Sequence, residues 1–277
     1  MNRLEALQHV AAQAQKGDIV FPSTAAISVK LRKLLDDPDI HLAATTDCVQ
    51  IEPLLAARVV AMANSVAYRR SDDDITDVGT AVYRIGLNSV RTLLQALLVR
   101  QLAGALKDPR AQRISSQLWE HTAHVASIAR ILARRVTHVE PETALFTGLV
   151  HDAGSFYLLS RSSEFPSLLD EEHTDGEEPL ILEVHRWVAR TLALPAPVVE
   201  ALEIVWQGYV TSPPETLGDT VALAKALSPV ASPSPQPQGG DEIAPIELTI
   251  VEEHLTDILR ESSEEVDSVV RALGGLR

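Results

Sequence analysis

An all-α protein is what this sequence predicts, on three observations. Apolar residues fill 45% of 277 positions but aromatics only 4%, and the apolar set is mostly Ala, Leu and Val, which suits helices better than sheets. Those residues recur at the three- and four-residue spacing of amphipathic helices. Proline, glycine and Asx or serine clusters interrupt the pattern where helices would stop. The length is enough for one large or two moderate domains with a proper core.

The first helix is read over Leu4 to Gln15, closed by Gly17, after which Phe21-Pro22 forces an extended turn. Ser23 or Thr24 caps a second helix to about Leu35, ended by Asp36-Asp37-Pro38-Asp39, and a third begins near His41. Pro53 suits the first position of the next, which turns Leu54, Leu55, Val59 and Met62 inward until Asn64-Ser65. An acidic loop, Ser71 to Asp74, precedes a helix that stops at Gly86, and Asn88 caps its successor. From Val90 to Leu102 the apolar positions exceed one stripe, as expected of a central helix joining two halves. Lys107 to Arg113, with Pro109, reads as the boundary between them.

The second half opens on a helix with the stripe Leu118, Thr122, Val125, Ala129, Leu132 and Val136, flanked by His121. The stretch LFTGLVHDAGSFYLL, Leu145 to Leu159, is read as one helix with Asp152 on its buried stripe. A carboxylate there is costly unless a histidine, a cation or a metal pairs with it. After a polar loop from Asp170 to Pro179, Ile181, His185, Val188 and Leu192 share an inward face. Pro195 and Pro197 introduce a helix stopped by Gly208, and another spans about Leu217 to Leu227. Pro229 to Gly240 is a low-complexity linker or loop. Amphipathic patterns then run from Leu248 to Ile258 and from Val266 to Leu273. The expected division is 1–108 and 109–228 for two helical bundles, 229–242 for the linker and 243–277 for C-terminal helices.

The charge of −14 repels nucleic acid and anionic membranes, so neither is an expected partner. No apolar run approaches the roughly 20 residues that span a bilayer, and Glu5, Gln8 and His9 argue against a leader. The single Cys48 excludes an internal disulfide and zinc-finger spacing, pointing to a reducing, cytoplasmic setting. Trp119, Trp187 and Trp206 are read as packing residues or ring faces of a groove.

Three helices place His121, then His151 with Asp152, then His185 in or beside apolar stripes. Converging, they would either ligate a divalent metal that activates water or hydrogen-bond one another as core residues. Arg69, Arg70, Arg84 and Arg91 form either an anion patch beside the Asn64-Ser65 turn or a solvated basic face.

Val150-His151-Asp152-Ala153-Gly154 resembles the HDIG-type motif of HD-superfamily phosphohydrolases. The segment from Glu52 to Ser65, EPLLAARVVAMANS, resembles the DPxLxxRLLRLANS stretch of the HDOD family, the HD-related output domain. Ala81 to Arg91 resembles that family's A-I-xx-L-G helix end, and Leu118-Trp119-Glu120-His121-Thr122 its LWxHS element. The likeness covers roughly residues 20 to 230. It implies an N-terminal helical bundle followed by an HD-like bundle.

In catalytic HD enzymes a histidine, the HD pair and a later aspartate hold the metal. By resemblance His121, His151 and Asp152 match three of those positions, while Lys225 stands at the fourth and would pair with Asp152 instead. Ser155 stands where many catalytic members carry lysine, Val205-Trp206 where relatives often carry a histidine pair, and His185 where many have a histidine. The resemblance implies a bacterial signal-transduction output module, non-catalytic, binding a protein partner or a nucleotide second messenger with no cofactor. The alternative is a metal-dependent phosphohydrolase or phosphodiesterase, with a divalent metal on His121, His151 and Asp152.

Overall fold

The computed structural model describes residues 1–16, 31, 34–35, 37, 39–70, 74–103, 106–170, 176–208, 213–234 and 255–274. Every regular element among them is helical. Helix α1 (Arg3–Gln15) starts from a reciprocal capping box between Asn2 and Glu5. Helix α2 (Leu42–Ile51) uses the His41 ring as its cap, and α3 (Pro53–Ala63) has Pro53 in its first turn. Helix α4 (Val78–Leu102) is capped by Asp77 and kinks at Gly86, whose φ of 78° only glycine adopts without strain. Helical dihedrals thus stop at Gly86, as expected, and a second helical stretch follows to Leu102.

Asp108 caps α5 (Pro109–Leu132), which runs on through a π turn, Ala133–Thr137. There follow α6 (Pro141–Val150), α7 (Ala153–Arg161), a 3-10 turn (Pro166–Leu169), α8 (Glu177–Thr191), α9 (Ala196–Gln207) and α10 (Leu217–Ala226). Helix α11 (Ser263–Leu273) ends at Gly274, whose φ of 76° closes the last turn. Most of the second helix expected before Leu35, the residues from Ser71 to Asp73, and the linker and helix expected between 235 and 254 lie outside the described residues.

Helix α4 is central to the packing. It packs on α2 and α3 on one side and on α6 and α7 on the other, burying Leu93, Leu94, Leu97, Leu98 and Val99. Helix α5 is the second axis, covered by α6, α10 and α11. Two packings cut across the expected division of the chain. Helix α1 lies on α8, where Arg3 pairs with Glu177 at 2.9 Å and donates to the Leu168 and Asp170 carbonyls at 2.6 and 2.9 Å. Helix α11 wedges between α3 and α5: the Trp119 indole donates to the Leu273 carbonyl at 3.2 Å, and Arg58 to that of Ala272 at 3.1 Å. Amphipathic terminal helices have an apolar face to bury, and the exposed flanks of the two bundles supply the surface.

Candidate functional site

The LFTGLVHDAGSFYLL stretch is not one helix. Helix α6 ends at Val150, His151 and Asp152 form a turn, and α7 starts at Ala153, with Asp152 at φ −107° and ψ 21°. The turn presents both side chains on the inner side of the junction, so Asp152 is buried because of a break and not because of a stripe. Its carbonyl still accepts from Ser155 at 3.0 Å and Phe156 at 3.3 Å, starting α7.

Two glycines make the approach possible. A Cβ at Gly148 would lie 2.6 Å from the Ala126 Cα on α5, and one at Gly154 would lie 2.5 Å from the His185 ring on α8. Gly148→Ala must therefore push two backbones apart and is expected to cost about 1–3 kcal/mol, read as a lower urea midpoint. An unchanged midpoint would show that α5 and α6 are not in such close contact.

Three of the sequence-selected residues come together. His121, His151 and Asp152 are buried and each offers a ligand atom, all within 4.8 Å of one another. The His121 and His151 rings meet edge-on at 5.5 Å, and His151 Nε2 lies 3.4 Å from Asp152 Oδ2. His151 Nδ1 contacts the Gly148 carbonyl at 2.7 Å, and His121 Nδ1 the Val230 carbonyl at 2.6 Å. A carbonyl only accepts, so both Nδ1 atoms carry protons. Both Nε2 atoms are buried without a hydrogen-bond partner among the described residues. Backbone acceptors behind each ring and free Nε2 lone pairs in front are the outer-shell arrangement of metal-binding histidines.

His185 joins at one remove. Its Nε2 faces Ser155 Oγ at 3.3 Å, and its ring stands edge-on to Trp206 at 5.4 Å, whose indole donates to the His151 carbonyl at 2.8 Å. Burial, helped by the adjacent His151 ring, pushes the His121 pKa down to about 4; burial likewise takes His185 to about 4. Burial alone would raise the Asp152 carboxyl, but the neighbouring His151 ring, then Lys225, hold it below the usual carboxylate range. Lys225 makes no ion pair with Asp152 among the described residues. It acts through space, in place of the contact pair expected from sequence.

Residues 228–234 form a strap across the cluster. Besides Val230 on His121, Ser232 Oγ donates to Asp152 at a long 3.4 Å, Ser234 Oγ to Ser155 Oγ at 2.9 Å, and Gln117 to the Ala231 carbonyl at 3.2 Å. Val230, Ser232, Ser234, Gln117 and the clamping role of Trp206 escaped the sequence reading. Low-complexity composition hides a segment whose contacts are made largely by backbone carbonyls. The four arginines fare differently: Arg69 pairs with Asp74 at 2.9 Å in its own loop, and Arg91 donates to the Leu35 carbonyl at 2.7 Å. Two of the four are thus committed to contacts within the fold.

Comparison with known proteins adds the family. No curated protein is significantly similar to the chain in sequence. Among solved structures, a candidate metal-dependent phosphohydrolase from Shewanella amazonensis SB2B superposes with a TM-score of 0.71 at 16% identity, covering 98% of this chain and 99% of that one. An HDOD domain protein of unknown function from Geobacter sulfurreducens gives 0.63 at 22%, covering 98% of each chain. A candidate signal transduction protein from Marinobacter aquaeolei VT8 gives 0.59 at 20%, over 99% of this chain and 66% of that one. At such identities these likenesses establish a shared fold. The HDOD domain itself matches residues 21–202, most of the chain, and the protein belongs to the HDOD domain family.

Proposed function

We propose that this chain is a bacterial, cytoplasmic signal-transduction output module that works without catalysis, by binding a protein partner or a nucleotide signal. The observation that carries this reading is the closure of the histidine cluster by the chain itself. The strap puts the Val230 carbonyl and the Ser232 hydroxyl on His121 and Asp152, where a phosphoester would have to approach. Lys225 adds a cation where HD enzymes carry a fourth, anionic ligand, and Ser155 replaces a lysine. In this reading a partner that binds the chain with the strap displaced shifts the population away from the closed arrangement. Among the described residues no helix is long and apolar enough to cross a membrane.

The alternative, a metal-dependent phosphohydrolase, is favoured by the two unpartnered Nε2 atoms beside the Asp152 carboxylate. His121, His151 and Asp152 fit three positions of a divalent-metal site, and a metal bound there would supply an activated water for hydrolysis. What the chain itself supplies is tautomer control by Gly148 and Val230.

Elemental analysis of protein purified without chelator, beside Asp152→Ala, separates the two. The output-module reading expects metal well below one per chain in both, and no turnover of a phosphoester panel with added Mn²⁺, Fe²⁺ or Ni²⁺. Stoichiometric metal and phosphoester turnover, both lost in a folded Asp152→Ala protein, would overturn it.

A further inference from the structure

Residues 228–234 are tied to the histidine cluster by hydrogen bonds, and none of them is buried. The Val230 carbonyl accepts from His121 Nδ1 at 2.6 Å and from the Ser228 hydroxyl at 3.0 Å. Gln117 of α5 donates to the Ala231 carbonyl at 3.2 Å, Ser232 Oγ to Asp152 at 3.4 Å, and Ser234 Oγ to Ser155 of α7 at 2.9 Å. A segment held by such contacts, with no side chain in the core, opens at a free energy below that of global unfolding.

One of these contacts bears on what the cluster can hold. By accepting the Nδ1 proton, the Val230 carbonyl leaves the Nε2 lone pair of His121 for the cluster. The Gly148 carbonyl does the same for His151, but it lies three positions away at the end of α6 and stays as long as that helix is folded. The acceptor for His121 arrives from 109 positions away, on a segment that opens more easily. Two buried Nε2 atoms without a hydrogen-bond partner among the described residues, beside the Asp152 carboxylate, are the donor set of a divalent cation that accepts imidazole. Lys225, which acts on Asp152 through space, opposes a cation there, so the ion is held reversibly.

We propose that a divalent cation on His121, His151 and Asp152 and the docking of residues 228–234 stabilise each other, with the Val230 carbonyl as the positioning group. An imidazole whose far nitrogen donates to a fixed acceptor is a more basic and better oriented ligand. By linkage, the factor by which the docked strap tightens the ion is the factor by which the ion holds the strap. The cation then opposes any partner that binds with the strap displaced. That consequence rests on the output-module reading; the coupling does not.

Hydrogen exchange of the full chain with and without Zn²⁺ reads the strap at the amides of Val230, Ala231, Ser232 and Ser234, since Pro229 and Pro233 have none. Zn²⁺ is expected to slow these amides by about tenfold or more, the size of an outer-shell effect on metal affinity. Mg²⁺, which prefers oxygen ligands, is expected to leave them unchanged. Zinc affinity, read by competition with a chromophoric chelator, should fall by about tenfold in the triple variant Gln117→Ala, Ser228→Ala and Ser234→Ala. Those changes loosen the strap without touching a ligand, and thermal unfolding confirms the fold. Asp152→Ala should lose both the ion and the slowing. A parent protein that binds no Zn²⁺, Zn²⁺ held as tightly in Asp152→Ala, strap amides unchanged or faster with Zn²⁺, or parental affinity in the triple variant would each overturn the inference. Each of these results leaves the output-module reading standing, whereas phosphoester turnover by the Zn²⁺-loaded parent removes that reading and leaves the coupling to the exchange result.

Discussion

Arg130→Met is expected to destabilise the protein by about 3 kcal/mol, because it leaves the Glu142 carboxylate without its cation while Glu265 keeps only Arg134, at 2.7 Å. Arg130, on α5, is nine-tenths buried, donates to Glu142 of α6 at 2.9 Å and to Glu265 of α11 at 2.7 Å, and lies 4.8 Å over the Tyr68 ring. Glu142 also accepts from the Tyr68 and Ser89 hydroxyls. Burial, then the nearby Glu142 charge, pushes the Tyr68 pKa up, so its hydroxyl stays protonated and donating. One guanidinium thus ties the loop after α3, the second bundle and the C-terminal helix. Urea unfolding should show the loss, with Tm lower by roughly 10 °C. Removing a carboxylate along with the cation, as in Arg130→Met with Glu142→Gln, should recover part of it, since the double change strands less charge. A single-variant loss below about 1 kcal/mol would mean that the network behaves as a solvated surface pair.

Acidification should weaken the fold between about pH 6.5 and pH 4. His121 and His185 titrate near 4 in the folded chain, held down first by burial, against about 6.5 unfolded. Across that window the unfolded chain binds more protons, so stability rises with pH. The penalty is absent above the unfolded value and fully present below the folded one. Its ceiling is roughly 3 kcal/mol per histidine, less where water reaches the strapped site as it loosens. The Asp152 carboxyl, held low, contributes in the opposite range: its stabilisation is present above the unfolded carboxylate value and lost only in stronger acid. Chemical denaturation at pH 7, 5.5 and 4.5 checks this, and His185→Gln should flatten the slope. A slope equal to the parent's would mean that His185 is solvated in the native state.

Much of the architecture was legible beforehand because helix signals are local. Pro53 in the first turn of α3, the stop at Gly208 and the polar break after Asn64 need only neighbours in sequence. The surplus of apolar positions from Val90 to Leu102 correctly marked a helix covered on several faces. The break at Gly86 was legible because glycine is a local stop signal, but the turn at His151-Asp152 was misread. Periodicity continues smoothly across a break when both flanking helices bury the same side. Glycine in the HD stretch was visible, but not its purpose, since close approach of Gly148 to Ala126 and of Gly154 to His185 involves partners 22 and 31 positions away.

Family membership and the identity of the triad are properties of motif order, and the chain alone carried them. Whether His121, His151 and Asp152 face one another with their Nε2 atoms free was settled by packing, because tautomer and orientation depend on carbonyls at Gly148 and Val230. The strap and the wedge of α11 likewise exist only in three dimensions. They are made by segments far apart in sequence, and their contacts run through backbone carbonyls, long ion pairs and helix ends. None of these leaves a period or a motif in the amino-acid order.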